Sequence, residues 1–104
     1  MSHISDPHFA ERVRASFELQ NAMQLIQAKM PVIEHGHTEI HLPHWTGVEQ
    51  QHGFVHGGVV GMIADSAAGY AAMTMVPATA SVLTVEFKMN LVAPADGEKL
   101  IARG

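Results

Sequence analysis

The chain has 104 residues, 47% hydrophobic and 15% charged, with a formal net charge of −4 and no cysteine. That length accommodates one domain, and the composition fits a globular chain with a core rather than a disordered one. The charge leaves no basic footprint for nucleic acid, and the missing cysteines exclude disulfides, thiolate metal sites and cysteine nucleophiles, in keeping with the cytoplasm.

The N-terminal run MSHISDPHFAERVR carries early acids and no apolar centre, so it does not read as a secretory signal. No stretch reaches the roughly 20 apolar residues of a membrane span, so a soluble protein with no membrane partner is expected. Asp6 followed by Pro7 reads as a helix N-cap with proline at the first helical position. Leu19, Met23, Ile26 and Met30 then recur at helical spacing until Pro31, which predicts one amphipathic helix over about residues 6–30.

Residues 32–42 read as a strand, with Thr38, Ile40 and Leu42 on one face and His37, Glu39 and His41 on the other. Residues 43–53 read as a loop, and residues 57–75 as a second helix ending near Pro77. In residues 81–92, Leu83, Val85, Phe87, Met89 and Leu91 alternate with Thr84, Glu86, Lys88 and Asn90, the pattern of a half-buried strand. Residues 94–97 form a turn, and residues 99–104 begin another strand. Two or three strands are few to cover so apolar a second helix. Further strands beyond Gly104, or strands from another chain, are expected to finish the sheet.

Asp65 is the only charged residue between Glu49 and Glu86. A carboxylate in an apolar helix is costly unless paired, hydrogen-bonded or partly wet. Gly53, Gly57, Gly61, Asp65 and Gly69 are spaced by four, so from Gly57 onward they share one side of the helix. Val60, Ile63, Ala64, Ala67 and Ala71 are expected on the opposite, core side. Each interior glycine costs about 1 kcal/mol relative to alanine, which suggests that something approaches the backbone closely. Helix packing at a subunit interface also uses small residues, but it leaves Asp65 unexplained. Free N–H groups at the helix start, near Gly57 and Gly58, suit a carbonyl that gains negative charge during attack. With a carboxylate on the same face, these are the parts needed for acyl-transfer hydrolysis.

The run GFVHGGVVGMIADSAAGYAA, followed by LTVEFKMNLVAPADGEKLIARG, resembles the PaaI-type acyl-CoA thioesterases of the hotdog superfamily over roughly residues 30–104. The resemblance implies an α+β hotdog fold: a long central helix wrapped by a curved antiparallel sheet, with strands continuing past the position of Gly104. The chain is therefore expected to be one hotdog thioesterase domain over residues 1–104, shortened at its C-terminus. It also implies a homodimer or homotetramer with active sites at the subunit interface, hydrolysing an acyl-CoA thioester without metal or cofactor.

By position, Asp65 resembles the catalytic nucleophile or general base, and Gly57 the backbone donor to the thioester carbonyl. Gln50 resembles the residue that positions thioester or water, and Thr84 a water-orienting hydroxyl from the partner subunit. His56 resembles a histidine bracing the loop. Gly58, Gln51 and Phe54 are expected beside the substrate, and Gln51 competes with Gln50 for the positioning role.

Other features carry weaker expectations. His35, His37, His41 and His44 cluster, but without a strong ligand spacing, so no metal is expected. HGGVVG lacks the Lys-Ser/Thr ending of a phosphate loop. Met62, Met73 and Met75 suit adaptable core packing. Trp45 and Phe54 flank the motif loop, to line an acyl pocket or anchor the loop. The alternative to an enzyme is a non-catalytic acyl-thioester binding or assembly module. A hotdog dehydratase ranks last because its His–acid signature is missing.

Overall fold

The structure, a computed structural model, describes residues 4–104. Two short helices, α1 (Phe9–Glu18) and α2 (Asn21–Leu25), lead into strands β1 (Lys29–Glu34) and β2 (His37–Pro43). A 3-10 turn (Thr46–Val48) follows, then the long helix α3 (Gly57–Met73) and strand β3 (Lys99–Arg103). The sheet is antiparallel in the order β1-β2-β3, and α3 lies against it.

The single helix expected over residues 6–30 is instead two, and the reason is local. Gln27 adopts a left-handed φ of 65°, Ala28 N–H donates to the Met23 carbonyl at 2.9 Å, and Gln27 N–H donates to that of Gln24 at 3.1 Å. Those two bonds close a Schellman motif that terminates α2 ahead of proline. Pro31 lies within β1, where a register shift falls between Lys29 and Val32, the kind of strand position that tolerates proline. Met23 and Ile26 are buried as expected, but Leu19, between the helices, is 81% exposed.

A non-glycine residue in this conformation is strained by about 1–2 kcal/mol. Gln27→Gly is therefore expected to raise stability by about 0.5–1 kcal/mol after its greater unfolded-state freedom is deducted. A midpoint of thermal unfolding that falls instead would contradict the assignment.

The strand expected over residues 32–42 is part of a hairpin, with Gly36 turning at φ 82° and Glu34 opposite His37. Its faces follow the alternation. Thr38, Ile40 and Leu42 are buried, while His37, Glu39 and His41 are partly exposed on the other side.

Helix and sheet meet closely where Thr38 Oγ1 donates to the Ala67 carbonyl at 2.7 Å. Gly104, paired through its backbone to Thr38, lies so near that an added Cβ would stand 2.2 Å from the Ala67 oxygen. Ile63, Ala67 and Ala71 of α3 are buried there; Ala64, assigned to the same side from sequence, is exposed.

Residues 81–92 do not form the expected strand. They run extended over the glycine side of α3 with no ladder partner among the described residues, and Leu83 and Val85 are 86% and 93% exposed. The alternation is that of a strand, but no strand among the described residues pairs with it. Its ends are fixed: Arg12 Nη1 donates to Ala80 O at 3.4 Å, and Val55 N–H donates to Ala95 O at 3.0 Å.

Candidate active site

Asp65 projects from the middle of α3, half-buried, and its Oδ1 accepts a hydrogen bond from Thr84 Oγ1 at 2.7 Å. Asp65 and Thr84, both expected at the site, are thus in contact within this chain. They line a cleft of about 410 Å³, a volume within the range of small-ligand pockets. One carboxylate oxygen is held by the threonine, and the other accepts no hydrogen bond among the described residues.

The same cleft holds a polar cluster that sequence reasoning missed. Tyr70 Oη accepts from Gln20 Nε2 at 2.6 Å and lies 3.1 Å from Ser16 Oγ. The chain's only tyrosine, placed five residues after Asp65 in an alanine-rich helix, was the available signal. Ser16 and Gln20 gave none, because their role depends on α1 packing beside α3.

The other expected site residues gather at the start of α3. Gln50 and Phe54 belong to a small hairpin closed by a Glu49–Val55 bridge, with Gln50 N–H donating to Phe54 O at 2.8 Å. The Gln50 side-chain oxygen accepts from the His52 amide, so this residue braces its own loop. Gln51 is exposed, and Phe54 is half-buried. None of Gln50, Gln51, Phe54, His56, Gly57 or Gly58 lines the Asp65 cleft.

His56, expected to brace this loop, stands at the N-terminus of α3. It caps α3, its Nδ1 accepting from Gly58 N–H at 2.9 Å. The Gly58 amide is thereby engaged, which corrects its expected role as a free donor to substrate. Gly57 N–H has no protein acceptor among the described residues. At 1.5 Å per residue, Gly57 and Asp65 lie about 12 Å apart along the axis, too far to grip one carbonyl within a chain.

The glycine side of α3 is also not the open groove that the spacing suggested. Met89 and Phe87 lie against Gly61, and Leu91 Cδ1 would stand 2.7 Å from a Cβ added at Gly57. Something does approach the backbone closely, and it is the chain's own residues 87–91.

Three of the four clustered histidines, His37, His41 and His44, are engaged by protein groups, whereas His35 Nε2 is buried with no hydrogen-bond partner among the described residues. Glu39 receives His41 Nε2 at 3.0 Å and His37 Nε2 at 3.2 Å, with Arg103 Nε at 3.4 Å. The His41 hydrogen bond, followed by that of His37, holds the Glu39 carboxyl below its ordinary value. Among the described residues, no group of three or more His, Asp or Glu has a metal-holding arrangement.

His44 packs between two loops: Nδ1 faces the Gly97 carbonyl at 2.9 Å, and Nε2 faces Glu49 Oε2 at 2.9 Å and the Gly53 carbonyl at 3.0 Å. All three are acceptors, so both ring nitrogens are satisfied only in the imidazolium. The Gly97 carbonyl above all, with Glu49 and Gly53, raises the His44 pKa above 6.5 against the opposing effect of burial.

A group whose folded pKa is raised stabilises the fold fully below its unfolded pKa and loses that contribution as pH rises through the folded value. His44 is therefore expected to make thermal stability fall from about pH 6 upward into the alkaline range. His44→Gln should flatten that slope, and equal slopes in the two proteins would contradict the assignment.

No helix among the described residues is long and apolar enough to cross a membrane.

A model of the thioesterase superfamily matches residues 52–104 of this chain. Among solved structures, the chain is similar to a thioesterase family protein from Silicibacter pomeroyi at 42% identity and a TM-score of 0.88, covering 91% of this chain and 70% of that one. It is also similar to a thioesterase from Haemophilus influenzae at 19% identity and a TM-score of 0.78, covering 89% of this chain and 64% of that one. A phenylacetic acid degradation-related protein from Ralstonia eutropha JMP134 matches at 17% identity and a TM-score of 0.75, covering 92% of this chain and 74% of that one. The two more distant likenesses show the fold alone. Comparison with curated proteins gives no match.

Proposed function

Because the chain belongs to the thioesterase superfamily and has its hotdog fold, we propose that it contributes the catalytic carboxylate to hydrolysis of an acyl-CoA thioester. The observation carrying this reading is the Asp65–Thr84 pair at 2.7 Å in a cleft large enough for an acyl group.

Asp65 acts as general base. Thr84 fixes one carboxylate oxygen, and the second takes a proton from water as its oxygen attacks the thioester carbon. The tetrahedral intermediate collapses with cleavage of the C–S bond, and the thiolate leaves as thiol with the proton held by Asp65. The products are the free acid and CoA. Single turnover in ¹⁸O-water distinguishes this from nucleophilic attack, which alone places the label in the Asp65 carboxyl.

The 12 Å axial separation of Gly57 from Asp65 supports an assembled site. Two antiparallel copies of α3 would bring the free Gly57 amide of one to the Asp65 of the other, so a homodimer or homotetramer is the proposed working form. Gln50, Gln51 and Phe54, on the hairpin beside Gly57, then approach the substrate from that second copy. A cytoplasmic enzyme acting on aryl or alkyl thioesters fits this arrangement.

The Gly58 amide held by His56, and the cover of Leu91 over Gly57, favour the second reading, a module that binds acyl thioesters without turning them over. Thiol release from a panel of aryl, medium-chain and long-chain acyl-CoAs tests both. Turnover of any member supports the enzyme, whereas saturable binding with no thiol released supports the module.

A further inference from the structure

A second recess lies on the far side of α1 from the Asp65 cleft. Ser16 of α1 and Gln20, just beyond its end, line the cleft, whereas Arg14 and Glu18 of α1 line this groove of about 1070 Å³. Its floor is the outer face of the sheet, where Lys29 of β1 pairs with His41 of β2, and Lys99 of β3 pairs with Pro43.

The charge distribution there is unlike that of the molecule. The protein carries a net −4 and only six lysines and arginines. Arg12 and Arg103 are committed to Asp6 and Glu39. Of the other four, Arg14, Lys29 and Lys99 all line this groove, and none is paired with a carboxylate among the described residues. Glu18 is the one acid in the lining.

Arg14 is held in place from one side only. Its Nη1 donates to the Met30 carbonyl at 2.6 Å, while Nε and Nη2 have no acceptor among the described residues. Lys29 and Lys99 stand on the two strands flanking β2, staggered by two residues and so about 12 Å apart at ordinary strand spacing. One oriented guanidinium and two flexible ammonium groups, spread over that distance, match an anion with more than one phosphate rather than a single small ion.

We propose that this groove binds the polyphosphate of a nucleotide. Two sources share that chemistry: the nucleotide end of a thioester substrate reaching round α1, or a separate nucleotide. The binding claim stands apart from the thioesterase reading, and only the choice of source rests on it.

The test uses ADP and inorganic pyrophosphate as probes, titrated calorimetrically at low ionic strength into the full chain and into Lys29→Gln/Lys99→Gln. Saturable binding that weakens roughly tenfold in the double variant, and weakens further with added salt, supports the site. Backbone NMR shifts should then map to Arg14, Lys29 and Lys99 and not to Asp65. Equal affinity in the two proteins, or no binding by the full chain at millimolar probe, overturns the proposal. Competitive inhibition of thiol release by ADP, with KM raised and kcat unchanged in the double variant, assigns the site to the substrate's own nucleotide. Binding without effect on KM assigns it to a separate ligand.

Discussion

Asp65→Asn is expected to lower kcat for thioester hydrolysis by about 10²–10⁴-fold, the range supplied by a positioned general base. The substitution keeps the size of the side chain and an oxygen able to accept the 2.7 Å hydrogen bond from Thr84, so the cleft should remain formed. What it removes is the oxygen that takes a proton from water. KM should change little, because the contacts that bind the acyl group are untouched. Unfolding midpoints of the two proteins should agree within a few degrees, which separates lost chemistry from lost structure. Turnover equal to that of the parent would remove Asp65 from the mechanism.

Arg12→Ala is expected to be the most damaging single change to stability, costing about 3 kcal/mol or more. Its guanidinium donates to Asp6 Oδ2, to Met73 O and to Val76 O, each at 2.9 Å, and to Ala80 O at 3.4 Å. Asp6 is 7% exposed, so truncation strands a buried carboxylate as well as three carbonyls. Removing one member of a buried pair typically costs about 3–5 kcal/mol, and in a chain of this size each kcal/mol lowers the midpoint by about 4–8 °C. Thermal unfolding followed by circular dichroism reads this directly, and a drop under about 5 °C would show that water replaces the guanidinium without loss. Arg12→Lys should recover only part of the deficit, since one ammonium cannot span so many acceptors.

How much of this was legible in the sequence depended on how local the determining physics is. The helix over residues 57–75 was readable because its apolar residues and the Pro77 stop are close in sequence; the structure ends it at Met73. The faces of β2 were readable from period-two alternation alone. The break at Gln27 was not, because nothing in a glutamine announces a left-handed conformation, and the Schellman bonds that accompany it run from backbone to backbone. Pro31 misled for a related reason, since a proline that stops a helix is equally at home at a strand irregularity.

Within the site, Asp65 stood out because a lone charge in an apolar run is a local anomaly. The meeting of Asp65 with Thr84 in one chain was legible only as two candidates, since the path of residues 77–92 back along α3 is a tertiary fact. The contribution of Ser16 and Gln20 was invisible for the same reason, and that of Tyr70 was signalled only by its being the chain's one tyrosine. In addition, the distance between Gly57 and Asp65 changes what their shared helix face means, because two groups on one face can still be too far apart to touch one carbonyl.

The extended stretch lying over α3 has a consequence for handling the protein. Its backbone donors and acceptors lack ladder partners among the described residues, and its alternating Leu83, Val85 and Phe87 present the side chains that cross-β stacks favour. Glu86 and Lys88, of opposite sign and two residues apart, are the gatekeepers that interrupt this run. Neutralising both would leave Val82 to Val92 as eleven uncharged residues, a template for fibril growth from a protein otherwise unchanged in its core.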